Sequence, residues 1–270
     1  MKLLSSGVCK KPSLDVPEDL VGGSNNFYWL LDGATPPAGK GNHKLTVEYV
    51  STLDHYFKEF AKTANDPEDL LFNAIKSTKI VFEKRGVIVN PPSSTVIIVQ
   101  ILRDCLRYLV LGDSYLCVCA GEKVVTITDK RLASVAVQER NEVRTLREQG
   151  VPENSAKYIE ARRRLICAEE SSRNKDGGYW IAELNPDAAK EALVGTLPLP
   201  NLVFAVTDGL ERLVSVFDIY SGLKALGETI LEKGDSYVFN QLRLLEEEPE
   251  NFKRPISSKH DDASYFLIFR

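Results

Sequence analysis

Asp32, Asp113, Asp208 and Asp261 each stand at the end of an apolar run, with a Gly, a Ser or a second Asp beside them. One aspartate next to a glycine is most simply a turn residue whose carboxylate accepts a backbone hydrogen bond. Several at strand ends of an antiparallel core can converge on one edge of the sheets, where their repulsion is costly unless a cation offsets it. Hard divalent ions such as Mg²⁺ and Mn²⁺ take oxygen ligands of this kind, completed by water and an occasional backbone carbonyl. Gly33 suits the last role, because no side chain keeps its carbonyl from an ion. Histidine is scarce, only His43, His55 and His260, so a His-rich zinc or iron centre is not expected. Each reads as a surface or helix-face residue, although His260 could tune its neighbour Asp261.

Composition narrows the alternatives. The 270 residues carry 34 Lys and Arg against 38 Asp and Glu, a net charge of -4, with 43% hydrophobic residues. That balance describes a water-soluble chain long enough to bury a core without disulfide staples. It also lacks the basic excess of a general nucleic-acid binder. The longest apolar run, Thr95 to Leu102, is interrupted by Gln100 and far short of the ~20 residues that cross a bilayer. Leu3-Leu4 is too brief for the apolar stretch of a signal peptide, so the cytoplasm is the expected compartment. The five cysteines, Cys9, Cys105, Cys117, Cys119 and Cys167, form no CxxC pair, and they read as reduced, mostly buried thiols.

The elements that must position the acidic residues follow from periodicity. Phe27 to Leu31 alternates as a strand leading into a turn at Asp32-Gly33, and a Pro/Gly-rich loop, Pro36 to Gly41, follows. Helical spacing runs from Thr46 to Lys62, and a second helix starts at Asp66 as N-cap with Pro67 at its first position. Thr95 to Leu102, Cys105 to Leu111, Tyr115 to Ala120 and Lys123 to Thr128 read as strands whose short links predict a meander of antiparallel hairpins. Glu139 to Gln149 and Pro152 to Ala168 read as polar helices, and Arg162-Arg163-Arg164 as a solvated helix face. A brief strand at Tyr179 to Ala182, a strand at Asn201 to Thr207, helices at Arg212 to Lys233 and Asp235 to Glu248, and a doubly covered strand from Ser264 to Arg270 complete the reading. No GxGxxG follows a strand, so dinucleotide binding drops away. One α/β domain over residues 1–270 is expected, with an antiparallel core covered by helix pairs.

In chain order, Pro17-Glu18-Asp19, Leu31-Asp32-Gly33, Ser94-Thr95, Gly112-Asp113-Ser114, Thr207-Asp208-Gly209 and Asp261-Asp262-Ala263-Ser264 resemble the motifs of the metal-dependent serine/threonine protein phosphatases of the 2C (PPM) family, in its compact bacterial form. The resemblance spans nearly the whole chain. It implies a four-layer αββα sandwich, in which two packed antiparallel sheets are flanked by helix pairs, with a variable flap at about residues 138–179. It implies Mg²⁺ or Mn²⁺, two ions and a weaker third. Asp32 would bridge two ions, the Gly33 carbonyl would bind one of them, Asp208 and Asp261 would complete the other's shell, Glu18 and Asp19 would hold bound waters, and Asp113 would serve the third ion. Asp261 rather than Asp262 is the ligand expected from the final motif. A water between the two ions would attack a phosphoserine or phosphothreonine of a protein substrate without a covalent intermediate, and no Cys sits in a phosphate-cradling loop.

The chain departs from the family at several positions. The Arg that precedes the first acidic pair is missing, and the nearest basic residues, Lys10 and Lys11, are the candidates to grip phosphate. Lys lacks the forked geometry of Arg. Ala34 stands where eukaryotic members have a His, Pro17 replaces Asn, and Tyr115 replaces an Arg after the Gly-Asp-Ser motif. These departures keep open a second reading, a regulatory or binding module with the phosphatase fold and little turnover. A third is the same chemistry on a small phosphorylated metabolite. No nucleic-acid or membrane partner is expected.

Overall fold

The computed structural model describes residues 2–35, 42–87, 89–248, 251–253 and 258–269. The predicted Pro36 to Gly41 loop and Arg270 lie outside them. Among the described residues ten strands form two five-stranded antiparallel sheets. One contains β1 (Lys2–Cys9), β10 (Ala263–Phe269), β9 (Leu202–Val206), β6 (Tyr115–Ala120) and β7 (Lys123–Ile127), in that spatial order. The other contains β2 (Leu20–Ser24), β3 (Phe27–Ala34), β4 (Ser93–Ile101), β5 (Cys105–Leu111) and β8 (Leu193–Pro198).

Alternation along the strands divides their side chains between two cores. Leu30, Ile97 and Val110 face Val118, Val203 and Phe266 between the sheets. The opposite residues of the second sheet, including Trp29, Leu31 and Ile98, pack against α1 (His43–Phe60) and α2 (Pro67–Lys84) through Leu53, Phe57 and Ile75. On the first sheet Phe204, Tyr265 and Leu267 meet α6 (Asp208–Ser215), α7 (Leu223–Lys233) and α8 (Asp235–Glu247) through Leu210, Leu226 and Leu242. The outcome is the expected four layers. Coverage of both faces explains the consecutive apolar residues Val96 to Val99 of β4 and Tyr265 to Phe269 of β10, and burying each large side chain contributes about 1.5–3 kcal/mol. Asp66 caps α2 by accepting from the Asp69 amide at 2.9 Å.

Several expectations need correction. The 112–114 link is no hairpin: β5 is already paired by β4 and β8, and β6 by β7 and β9, so the chain crosses there from one sheet to the other. The strand expected to stop at Leu31 continues to Ala34, because Asp32 pairs with Thr95 and Gly33 with Ser94. Tyr179 to Ala182 makes only isolated bridges. The helix expected from Arg212 to Lys233 is two helices, α6 and α7, separated where the amides of Ile219 and Tyr220 turn back to the Leu213 carbonyl. Strands β1, β2 and β8 were not anticipated. All three are sheet edges, punctuated by Gly together with Ser in β1 and β2 and with Thr and Pro in β8. Only Cys117 and Cys119 of the five thiols are buried, and Cys167 is exposed.

A short helix α3 (Arg131–Ser134) leads to the polar pair α4 (Val137–Glu148) and α5 (Ala156–Ser172), which share a small core of Val143, Leu146, Tyr158, Ala161 and Leu165. Arg163 and Arg164 pair with Glu160 and Glu142 on the exposed face, as a solvated run should. Among the described residues no helix is long and apolar enough to cross a membrane.

Candidate metal centre

The acidic motifs meet at one end of the seam between the sheets. Asp32 lies near the end of β3, opposite Thr95. The Thr95 hydroxyl is 2.6 Å from that of Ser114, which ties the crossover bearing Asp113 to the same place. Asp208 opens α6, where a negative charge in the first turn is favoured by the helix dipole. The preceding Thr207 accepts from the Ser264 amide at 2.9 Å, so the start of α6 is fixed to β10 directly after Asp261-Asp262.

Asp262 has a different task from Asp261. It is buried and accepts from the amides of Lys11 and Glu18, both at 2.6 Å, so it clamps the N-terminal loop carrying Glu18 and Asp19 onto the last strand. Two glycines permit this close approach. A Cβ on Gly33 would stand 2.6 Å from the Glu18 carbonyl oxygen, and one on Gly209 would overlap the Asp262 carbonyl oxygen.

Electrostatics shows that the carboxylates share one field. Burial pushes the Asp32 carboxyl well above the usual carboxylate range, and Asp19, Asp208, Asp261 and Asp113 push it further. Asp19 is raised in the same way, by burial and then by Asp262, Asp261 and Asp208. Asp208 is pushed up to about 7 by burial, Asp261 and Asp113, against the opposing charge of Arg212. Asp113 is raised chiefly by burial, with Arg140 working the other way. Asp261 is raised by burial, although Arg212 and Lys11 offset part of the effect.

Glu18 faces cations and donors instead. Lys11 Nζ donates to it at 3.2 Å, Thr35 donates its hydroxyl, and His43 Nδ1 stands 3.1 Å away. His43 was expected on a surface helix face and is instead drawn to the site. His260 does not touch Asp261; its Nδ1 lies 2.9 Å from Glu246.

The two candidate phosphate ligands separate. Lys11 Nζ points into the acidic cluster. Its pKa is raised because Glu18, Asp261 and Asp262 together outweigh the burial that would lower it. Lys10 Nζ donates to the Leu14 carbonyl at 2.6 Å and is occupied in its own loop. Tyr115 lies in the same field. Burial, then Glu211, Asp113 and Asp208, push its phenol up, so it stays protonated.

Two observations bear on whether these residues suit a divalent ion. Asp19 Oδ2 is buried without a well-formed hydrogen bond, and the Ser264 hydroxyl, which eases its charge, is also buried without one. An unpaired buried carboxylate oxygen among like charges is costly, and a cation removes that cost. Against this, among the described residues no three Asp, Glu, His or Cys side chains are gathered closely enough to enclose an ion as they stand. Part of the reason lies at Asp261, whose Oδ2 accepts from Arg212 at 2.7 Å. Sequence reasoning missed Arg212. A helix begun at Asp208 would have placed it one turn on, on the same face.

The fold is that of bacterial serine/threonine phosphatases. Stp1 from Staphylococcus aureus is 16% identical, with a TM-score of 0.59 over 100% of this chain and 96% of that one. PppA, described as a key regulatory component of a secretion system (T6SS) in Pseudomonas aeruginosa, is 16% identical with a TM-score of 0.56 over 97% and 95% of the chains. The catalytic domain of the serine/threonine protein phosphatase PstP, in complex with two manganese ions, is 15% identical with a TM-score of 0.55 over 97% and 95%. No family model matches the chain, and no curated protein matches it.

Proposed function

We propose that this chain is a divalent-metal-dependent phosphatase that removes phosphate from phosphoserine and phosphothreonine in proteins. The observation that carries the reading is the meeting of Asp32 on β3, Asp113 on the crossover, Asp208 at the start of α6 and Asp19 and Asp261 on the segments clamped by Asp262, close enough that neighbouring carboxylates raise the pKa of Asp19, Asp32 and Asp208. The phosphatase fold and the two manganese ions of PstP support it. Asp32, the Gly33 carbonyl, Asp208 and Asp19 would hold two Mg²⁺ or Mn²⁺ ions, with Glu18 and Asp261 at their margin and Asp113 available to a third. Bound ions of this kind supply a water activated near neutral pH and offset the charge on the phosphoryl oxygens.

The chain's own residues do the rest. Asp262 fixes the loop of Glu18 and Asp19, so the acidic groups keep their places when the charge among them changes. Lys11, protonated beside Glu18, is the cation available for a substrate phosphate, as a point charge rather than a fork. Tyr115 offers a neutral hydroxyl. A cysteine nucleophile is not supported at the buried pair: burial and its neighbour Cys119 push the Cys117 thiol up to about 12.

The test is hydrolysis of an aryl phosphate and a phosphothreonine peptide, with and without Mn²⁺, by the parent and Asp208→Asn. Metal-dependent turnover that falls at least about a hundredfold in the variant is expected. No turnover of either substrate at any Mn²⁺ concentration would refute it. The second reading, a module with little turnover, draws on the Arg212–Asp261 pair and on the missing Arg before Glu18. A melting temperature raised by Mn²⁺ in a chain that hydrolyses neither substrate would favour it.

A further inference from the structure

We propose that Arg212 is a resident counter-ion of the acidic site. It takes the place beside Asp208 and Asp261 where a further divalent ion would otherwise bind, so the chain holds one ion fewer than its carboxylates invite. The proposal rests on the metal-dependent reading above. Asp208 and Arg212 lie four residues apart on α6 and therefore share a helix face. Arg212 is not a surface side chain that drifted onto a carboxylate. Its side chain is 5% exposed, and it lies 2.7 Å from Asp261 and 3.6 Å from Glu246. Its Nη1 also donates to the carbonyls of Ser258 and Lys259, at 3.2 and 3.4 Å.

Glu246, at 0% exposure, is held in turn by Arg243 at 2.6 Å and by His260 Nδ1 at 2.9 Å. Arg243 then spends its Nη2 on the carbonyls of Cys9, Lys10 and Asp261, at 3.0, 3.1 and 2.8 Å. Two guanidinium groups thus meet two carboxylates, Glu246 and Asp261, in a network neutral in itself, with Arg212 at its boundary with the acidic site. A guanidinium does not give up its proton, so the positive charge beside Asp208 is permanent. Oδ2 of Asp261 is occupied by the Arg212 guanidinium and Oδ1 accepts from the Asp262 amide at 3.1 Å, so a second cation at this carboxylate would have to approach against the charge of Arg212.

The experiment counts Mn²⁺ bound to the full chain, by electron paramagnetic resonance of free Mn²⁺ and by calorimetry, for the parent, Arg212→Gln, Arg212→Asp and Arg212→Lys. The Gln and Asp variants are expected to bind one ion more than the parent, or to hold the weakest ion at least about tenfold tighter. Adding Asp261→Asn to Arg212→Gln should abolish the gain. Arg212→Lys keeps the charge and should match the parent, whereas a purely structural role for the guanidinium would predict no such division by charge. Unchanged binding in both Gln and Asp variants overturns the proposal. So does a gain in the Lys variant, which decides the matter even where the other two fail to fold. A parent that binds no Mn²⁺ refutes the metal-dependent reading itself; a parent that binds it, with no gain on removing the Arg212 charge, refutes only the counter-ion.

Discussion

The metal-free chain should become more stable when Asp208 is replaced by Asn, by a margin that opens as pH rises from about 4 and is complete above about 7. In the folded chain this carboxyl is pushed up to about 7, from an ordinary 3.8, chiefly by burial and then by Asp261 and Asp113. The folded state therefore binds the proton more tightly than the unfolded state, and stability falls as pH climbs between the two values, then levels off. At about 1.4 kcal/mol per pH unit the loss comes to about 4 kcal/mol, of which at least about half should survive the site's partial access to water. Asn cannot ionise and closely matches the protonated acid in shape. Urea unfolding in the presence of a chelator should give similar midpoints for parent and Asp208→Asn near pH 4.5, and a variant more stable by about 2–4 kcal/mol near pH 8. Excess Mn²⁺ should narrow the difference at the higher pH, adding about 2.7 kcal/mol to the parent at a hundred times its dissociation constant and less to the variant. A variant destabilised equally at both pH values in chelator would refute the reasoning, because it would mean that Asp208 is not strained by its charge.

Two further outcomes follow from the same geometry. Lys11→Ala should raise KM for a phosphopeptide severalfold while Lys10→Ala leaves steady-state kinetics unchanged, since only Lys11 faces the carboxylates; equal effects would remove Lys11 from the phosphate site. Gly209→Ala should cost at least about 2 kcal/mol in denaturant unfolding, because the added Cβ overlaps the Asp262 carbonyl oxygen and nothing but backbone can move aside. A neutral effect there would mean that α6 and the last strand are not held in the contact described.

Much of the architecture was legible because the buried strands carry their own signal. β4 and β10 are covered on both faces and carry apolar runs, Val96 to Val99 and Tyr265 to Phe269, and Asp66 and Pro67 mark the start of α2. The edges were not legible. β1 exposes Leu3, Leu4 and Val8 and turns Ser5, Gly7 and Cys9 inward, so its inner face carries no large apolar residues for a pattern to reveal. The crossover at residues 112–114 was misread for a related reason. A short link implies a hairpin only if the first strand has a free side, and the partner that fills it, β8, lies more than eighty residues further on. At the site, the aspartates stood out by their neighbours in sequence. Arg212, Glu246 and Arg243 did not, since an arginine or glutamate inside an amphipathic helix looks solvated until the last loop closes over it.

That difference bears on how such a site can exist before any ion arrives. Five carboxylates forced together at a seam would drive the sheets' ends apart if each rested on its own loop. Here the charges that repel sit on segments tied to one another by hydrogen bonds, one of them made by a carboxylate, Asp262, that is itself part of the field. Asp262 holds the Glu18 loop, Thr207 holds the Ser264 amide, and Thr95 meets Ser114. Arg243 gathers three carbonyls from the ends of β1 and the final loop. The backbone around the site is therefore fixed by hydrogen bonds, and the repulsion of like charge appears as raised carboxyl pKa values. A site built this way takes up protons at low pH and cations near neutrality at the same positions, so proton release and metal uptake must be coupled: Mn²⁺ binding should tighten as pH rises through about 7, where Asp208 gives up its proton.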